Sequence, residues 1–267
     1  MQVRERHSAA QPRHKPILQY AQSKSEIAEA QALRYRVFVE ELGARLASRA
    51  EGIDRDLFDP HCDHLIVRDS DTSEVVGTYR LLPATRAQQI GGFYSEKEFD
   101  LARLFHLRSE LVELGRSCVH PDYRSGAAIA LLWSGIGQYL LAHNYHYLIG
   151  SASVSLADGG ANAAAVYQEM REQHLAPIEW RVFPRCPLPH EMLAVNLAHR
   201  ALHRPAIPPL IKGYLRTGAY VCGEPAWDAD FNTADLFMLL PIANLTKAAA
   251  RRSLYECLRG RSVEFRE

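Results

Sequence analysis

Helical periodicity opens the chain's ordered part. In EIAEAQALRYRVFVEELG, apolar Ile27, Ala30, Leu33, Val37 and Phe38 fall on one face. Ser25 is the expected N-cap and Gly43 the expected stop. The period then shifts to two. Strands are predicted at 62–68 and 74–82, joined by the turn DSDTS. A short helix is expected near Glu96–Leu104, and Leu111 to Val119 reads as a buried strand. The turn HPDYRSG follows, then an apolar, proline-free helix from Ala127 to Leu141. YHYLIGSASVSL is the next core strand, and Gly159-Gly160 precede a helix in ANAAAVYQEMREQ. Seven prolines between 177 and 209 indicate an insertion or edge region. PPLIKGYLRTG reads as a helix, AYVCGEP and TADLFMLLPI as strands, and a basic helix is expected from Asn244 or Thr246 onward. The order predicts an α/β (α+β) chain with a mixed central sheet flanked by helices. Residues 1–16 are expected as a flexible basic tail, and 17–267 as one domain.

Composition narrows this picture. At 267 residues and 47% hydrophobic, the chain can bury a sizeable core. Its 31 basic and 31 acidic residues cancel, so no global field argues for nucleic acid. Five scattered cysteines without a CxxC point to reduced thiols and a cytoplasmic protein. No stretch approaches the ~18 consecutive apolar residues of a membrane span.

Candidate chemistry gathers around 113–128. A strand, a tight polar loop and a helix leave free N–H groups at a helix N-terminus, where anions bind. Glu113 and Arg116 precede that loop three residues apart. On a regular strand they would lie on opposite faces, so sharing a site requires a bulge. Taken alone, the pair is equally an ion pair beside an ordinary turn. Arg80 sits in an apolar strand and needs a partner if buried. Asp54, Asp56 and Asp59 crowd one loop without the glycine and terminal glutamate of a calcium loop. His61-Cys62-Asp63-His64 has ligand residue types, but strand alternation separates them, and no metal is expected.

LRYRVFVEELG, DRDLFDPHCDHLIV, VVGTYRLLPAT and ELGRSCVHPDYR together resemble the autoinducer (acyl-homoserine lactone) synthases. That resemblance implies the Gcn5-related N-acyltransferase fold, with a mostly antiparallel sheet. ELGRSCV, YRSGAAIALLWSGIGQYL and GAYVCGEPAWDADFNTADLFMLL are more similar to the L-ornithine N-acyltransferase branch. This implies transfer of a 3-hydroxyacyl group from acyl carrier protein to the α-amine of ornithine, giving lyso-ornithine lipid. No permanent cofactor is implied, since the donor travels on the carrier's phosphopantetheine. The fold's usual coenzyme-A loop, Q/R-x-x-G-x-G/A, is altered: Gly126 follows Arg124 one residue early. That favours a carrier protein as donor.

The same resemblance assigns roles. Glu113 would take the ammonium proton. Arg116 would hold Glu113 or the acceptor's carboxylate. Backbone amides near Cys118 and Val119 would polarise the thioester. Arg124, Ser125, Gly126, Ala127 and Ala128 would bind the pantetheine phosphate. Arg34, Phe38, Asp54, Asp56 and Arg80 would line the acceptor site. The cell address implied is cytoplasmic, with peripheral contact at the inner membrane. Two rivals remain at this stage: a lactone or other N-acyl amino acid synthase, and a non-catalytic carrier- or lipid-binding module.

Overall fold

The computed structural model describes residues 16–193 and 204–246. The expected tail, part of the proline-rich region and the basic C-terminal helix lie largely outside those residues. A single mixed sheet runs in the order β1 (Pro16–Tyr20), β2 (Asp63–Asp69), β3 (Val75–Pro83), β5 (Leu111–Val119), β6 (Tyr147–Ser155), β10 (Thr233–Pro241) and β8 (Tyr220–Val221). β9 (Ala226–Asp228) also pairs with β10, and β4 (Phe99–Asp100) pairs with β7 (Phe183–Pro184) in a separate ribbon. Every pairing is antiparallel except β5 with β6, as the expected fold class requires.

Alternation divides the core between the faces. Leu65, Val67, Tyr79, Leu81, Val112, Leu114, Leu148, Ala152 and Val154 pack together with α3 (Ala127–His143) and α4 (Ala161–Gln173). On the other face, Ala30, Leu33 and Val37, from α1 (Lys24–Tyr35) and the π-turn after it, meet Ile66, Val75 and Cys118. Beside them, Leu82, Leu111, Ile149, Phe237 and Leu239 form a third cluster. No helix among the described residues is long and apolar enough to cross a membrane.

Local chemistry sets the boundaries. Helix α1 starts at Ser23, not Ser25: Ser23 Oγ accepts from Glu26 N–H, while the Glu26 carboxylate accepts from Ser23 N–H. This reciprocal capping box satisfies two donors, whereas Ser25 could satisfy one. The helix continues as a π-helix, Arg36–Glu41, before Gly43 turns the chain at φ +77°. The expected helix near Glu96–Leu104 is two 3-10 segments, Tyr94–Lys97 and Ala102–Glu110, separated by β4.

Two irregularities in β5 make the site. Strands β5 and β6 pair only from Leu111↔Tyr147 to Glu113↔Ile149, and no pairing joins them beyond. Gly150 stands where pairing stops. A Cβ there would lie 2.4 Å from the Leu114 carbonyl oxygen, so the backbones approach as only glycine allows. On the other edge, Arg80 faces Gly115 but Thr78 faces Cys118. One residue of β3 therefore opposes two of β5, a bulge with Arg116 at φ +51°.

Candidate active site

The bulge answers the register problem. A regular strand would turn Arg116 away from Glu113. The extra residue returns Arg116 to the α1 side, where Glu113 and Arg80 also point, and Ser117 goes to the α3 side beside Tyr79.

Arg116 does not hold Glu113, as one expected role required. Its Nε lies 3.1 Å from Asp54 Oδ2 and its Nη2 3.4 Å from Asp56 Oδ2. Arg80 Nη1 reaches Asp56 Oδ1 at 2.6 Å and Asp59 Oδ1 at 3.1 Å. Arg34, fully buried, donates through Nη1 and Nη2 to Asp59 at 3.0 and 2.8 Å, and its Nε lies 2.9 Å from Asp54. The Arg34 and Arg116 Nε contacts with Asp54 are close enough for ion pairing but misaligned for hydrogen bonds. Three guanidiniums thus face three carboxylates in a closed frame. Burial pushes Asp59 upward, but Arg34 and Arg80 outweigh it and hold the carboxyl well below its usual range. Asp54 and Asp56, expected to line the acceptor site, are counter-ions to these arginines. Asp59 completes the frame and was absent from the expected site. Its place in the crowded DRDLFD run was the available signal.

Glu113 is buried and caps the Tyr94–Lys97 turn. It accepts from Tyr94 N–H at 2.6 Å, from Ser95 N–H at 2.7 Å, and from the Ser95 hydroxyl. Burial raises its carboxyl above the ordinary value, against those hydrogen bonds and the charge of Arg80. A carboxylate offers about four acceptor positions, and these bonds fill three.

Aromatic rings wall Arg116. Its guanidinium lies 5.0 Å from the Tyr94 ring centroid and 5.1 Å from that of Phe231, which meets Phe38 edge-on at 5.7 Å. Beyond Tyr94 lies a second acidic group absent from the expected site. Oxygens of Glu98, Asp228 and Asp235 lie within 4.8 Å of one another, a spacing that could also hold a metal ion. Glu98 accepts from Ser151 Oγ at 2.7 Å on β6, and Asp235 accepts from Thr233 Oγ1 at 2.8 Å. Among the described residues none of the three is ion-paired. Burial, with Asp235 beside it, pushes Glu98 up to about 8; burial pushes Asp235 up to about 6. Asp235 interrupts the apolar strand ADLFMLLP, the one sequence feature that marked it.

The expected donor side lies at the far end of β5. His120 N–H donates to Val76 O, so two residues back Cys118 N–H also turns toward β3, opposite Thr78. Of the two expected oxyanion amides, alternation leaves only Val119 N–H on the open β6 side. The Cys118 thiol is pushed to about 12 by burial, the reverse of an activated nucleophile. Arg124 Nε donates to Val119 O at 3.0 Å. Gly126, at φ +108°, is the N-cap of α3 and brings no side chain to its first-turn N–H groups at Ala127 and Ala128. Ser125 lies exposed in the same turn.

Residues 33–134 match the family model of the acetyltransferase (GNAT) domain. Two curated proteins named L-ornithine N(alpha)-acyltransferase are similar over most of the chain. The one from Rhodobacter capsulatus is 41% identical, covering 84% of this chain and 88% of its own; the one from Agrobacterium fabrum is 40% identical, covering 84% and 80%. Among solved structures, the N-acyl amino acid synthase FeeM from uncultured soil microbes aligns with TM-score 0.53 at 12% identity, covering 90% of this chain and 98% of its own. The acyl-homoserine lactone synthase BjaI aligns at 0.51 and 14%, covering 91% and 88%. These two likenesses bear on the fold.

Proposed function

This chain belongs to the L-ornithine N(alpha)-acyltransferase family, and we propose that it transfers a 3-hydroxyacyl group from acyl carrier protein to the α-amino group of L-ornithine. The observation that supports it most is the opening between β5 and β6, with a bulge-presented arginine and buried carboxylates beside it. An extended pantetheine thioester fits such an opening, and a small zwitterion with a second ammonium fits the charges beside it.

In this reading Arg116, the most accessible of the three frame arginines, takes the ornithine carboxylate. Arg34, Arg80, Asp54, Asp56 and Asp59 hold Arg116 in place, and Phe38, Tyr94 and Phe231 wall the acceptor. The side-chain ammonium lies at Glu98, Asp228 and Asp235, none of which is ion-paired among the described residues. Glu113 takes the α-ammonium proton through a water at its remaining acceptor position. The amine nitrogen attacks the thioester carbon, Val119 N–H polarises the carbonyl oxygen, and the C–N bond forms as the C–S bond breaks. The departing pantetheine sulfur collects that proton from Glu113, restoring the carboxylate, and the second proton, made acidic on the attacking nitrogen as the C–N bond forms, leaves through the same water to solvent. Arg124 and the amides of Ser125 to Ala128 hold the pantetheine phosphate. The protein works in the cytoplasm, and its amphiphilic product enters the inner membrane.

The test is a mass-spectrometric screen with 3-hydroxyacyl carrier protein and acyl-coenzyme A, each offered ornithine, lysine, glutamine, glycine and S-adenosylmethionine. Acyl-ornithine from the carrier donor is expected. A lactone from S-adenosylmethionine, or no product from folded protein that still binds carrier, would overturn the proposal.

A further inference from the structure

Arg124 is already occupied. While its Nε holds the Val119 carbonyl, Nη1 and Nη2 form a two-pronged pair with Glu41 Oε1 and Oε2 at 2.6 and 2.7 Å. Glu41 ends the π-helix Arg36–Glu41, an uncommon turn type often found at functional sites. Beside the pair lies a cavity of about 330 Å³ lined by Arg36, Val37, Glu40, Glu41, His120 and Pro121. Two carboxylate oxygens on a guanidinium fork reproduce the geometry of two phosphate oxygens. Arg124 therefore carries a stand-in for an anion at the mouth of the β5–β6 opening, one turn from the uncapped start of α3.

We propose that Glu41 is a latch on the donor site: it holds Arg124 until the phosphate of the incoming pantetheine arm displaces it. This rests on the reading of Arg124 as a donor-phosphate ligand. The two free oxygens of the arm's phosphodiester meet the guanidinium together with the α3 N–H groups, whereas Glu41 meets the guanidinium alone. The phosphate therefore wins, but every donor must first break the pair. Glu41 is a positioning residue acting through Arg124. It discriminates against anions too weak to displace it and keeps the arginine oriented between turnovers.

The probes are 4′-phosphopantetheine and dephosphorylated pantetheine, titrated calorimetrically against the full chain. Wild type should favour the phosphorylated probe. An exposed ion pair is worth roughly a factor of two to five in an equilibrium constant, so Glu41→Gln should tighten 4′-phosphopantetheine by about that factor and leave pantetheine unchanged. Arg124→Gln should erase the preference, and Glu41→Gln/Arg124→Gln should bind as Arg124→Gln does. Circular dichroism confirms that each variant is folded. The latch fails if Glu41→Gln leaves phosphopantetheine binding unchanged or weaker, tightens both probes equally, or still helps when Arg124 is absent. It also fails if wild type shows no phosphate preference. A preserved preference without ornithine acylation would instead refute the proposed reaction and leave the latch standing.

Discussion

Replacing Glu98 with glutamine removes an ionisation that the fold opposes. Glu98 lies among Asp228, Asp235 and Ser151, and its carboxyl is raised from 4.5 to about 8, chiefly by burial and then by the charge of Asp235. The sign follows from linkage. A folded-state value above the unfolded one gives a contribution fully present below about pH 4.5 and lost as pH rises through about 8. From pH 4.5 to pH 7 the folded state forgoes about 1.4 kcal/mol per pH unit, or about 3 kcal/mol over 2.5 units. Glu98→Gln cannot ionise and keeps an acceptor for Ser151 Oγ. Its stability relative to wild type should therefore improve on going from pH 5 to pH 8. For a chain of this size, about 3 kcal/mol corresponds to about 6–12 °C in melting temperature. The assay is thermal melting of both proteins from pH 5 to pH 8.5, with and without free ornithine. Ornithine should stabilise wild type more at pH 8 than at pH 5, and should lose most of that effect in the variant. A constant offset between the two proteins at every pH, or a variant that weakens as pH rises, would refute the reasoning.

Three further substitutions probe the rest of the site. Glu113→Gln places an amide NH2 against either the Tyr94 or the Ser95 N–H; it should cost about 1–3 kcal/mol of stability and lower turnover by ~10²–10⁴. Single-turnover rates normalised to folded protein decide this, and a near-wild-type rate would remove Glu113 from proton transfer. Cys118→Ala should keep acyl transfer within a few-fold, because the thiol is buried and its ionisation pushed to about 12; complete loss of activity in a folded variant would point to a covalent route through Cys118 and refute direct aminolysis. Gly150→Ala drives a Cβ into the Leu114 carbonyl and should destabilise by about 1–3 kcal/mol. Unchanged melting would mean that the strands part more freely there than their backbone approach indicates.

Elements with a clean period were legible almost to the residue. Strands β2, β3 and β5 and helix α4 fall where alternation or apolar spacing put them, because burial on one face fixes both pattern and register. Strand β1 was not anticipated, since five residues at an edge carry little pattern. The Ser23-x-x-Glu26 box was readable but overlooked in favour of a nearer serine. Residues 94–110 resisted for a different reason. Their 3-10 turns take their order from distant groups, above all Glu113 capping Tyr94 and Ser95. The bulge was foreseen as a condition for Glu113 and Arg116 to share a face, though its position and the partners of Arg116 were not. A strand's own sequence fixes which side each residue faces, but not which loop supplies the counter-charge.

The charges divide the acceptor side into two parts with different capacities. Arg34, Arg80 and Arg116 balance Asp54, Asp56 and Asp59, so this frame is electrically complete without a ligand. Removing one member would leave an uncompensated buried charge, which keeps the frame rigid and unsuited to exchanging partners. Among the described residues Glu98, Asp228 and Asp235 have no such balance, and the raised values of Glu98 and Asp235, due first to burial, record the cost of ionising them there. An arriving ammonium offsets that cost, so its binding gains from both its own attraction and relief of repulsion among the carboxylates. In the proposed reaction the side-chain ammonium of a basic amino acid supplies that charge while its carboxylate stays on Arg116. In that reaction, choice among acceptors depends on the distance between these two groups. The residues that carry the family's most recognisable motif build the rigid frame, and under the proposed reaction preference for a dibasic acceptor would reside in Glu98, Asp228 and Asp235 outside it.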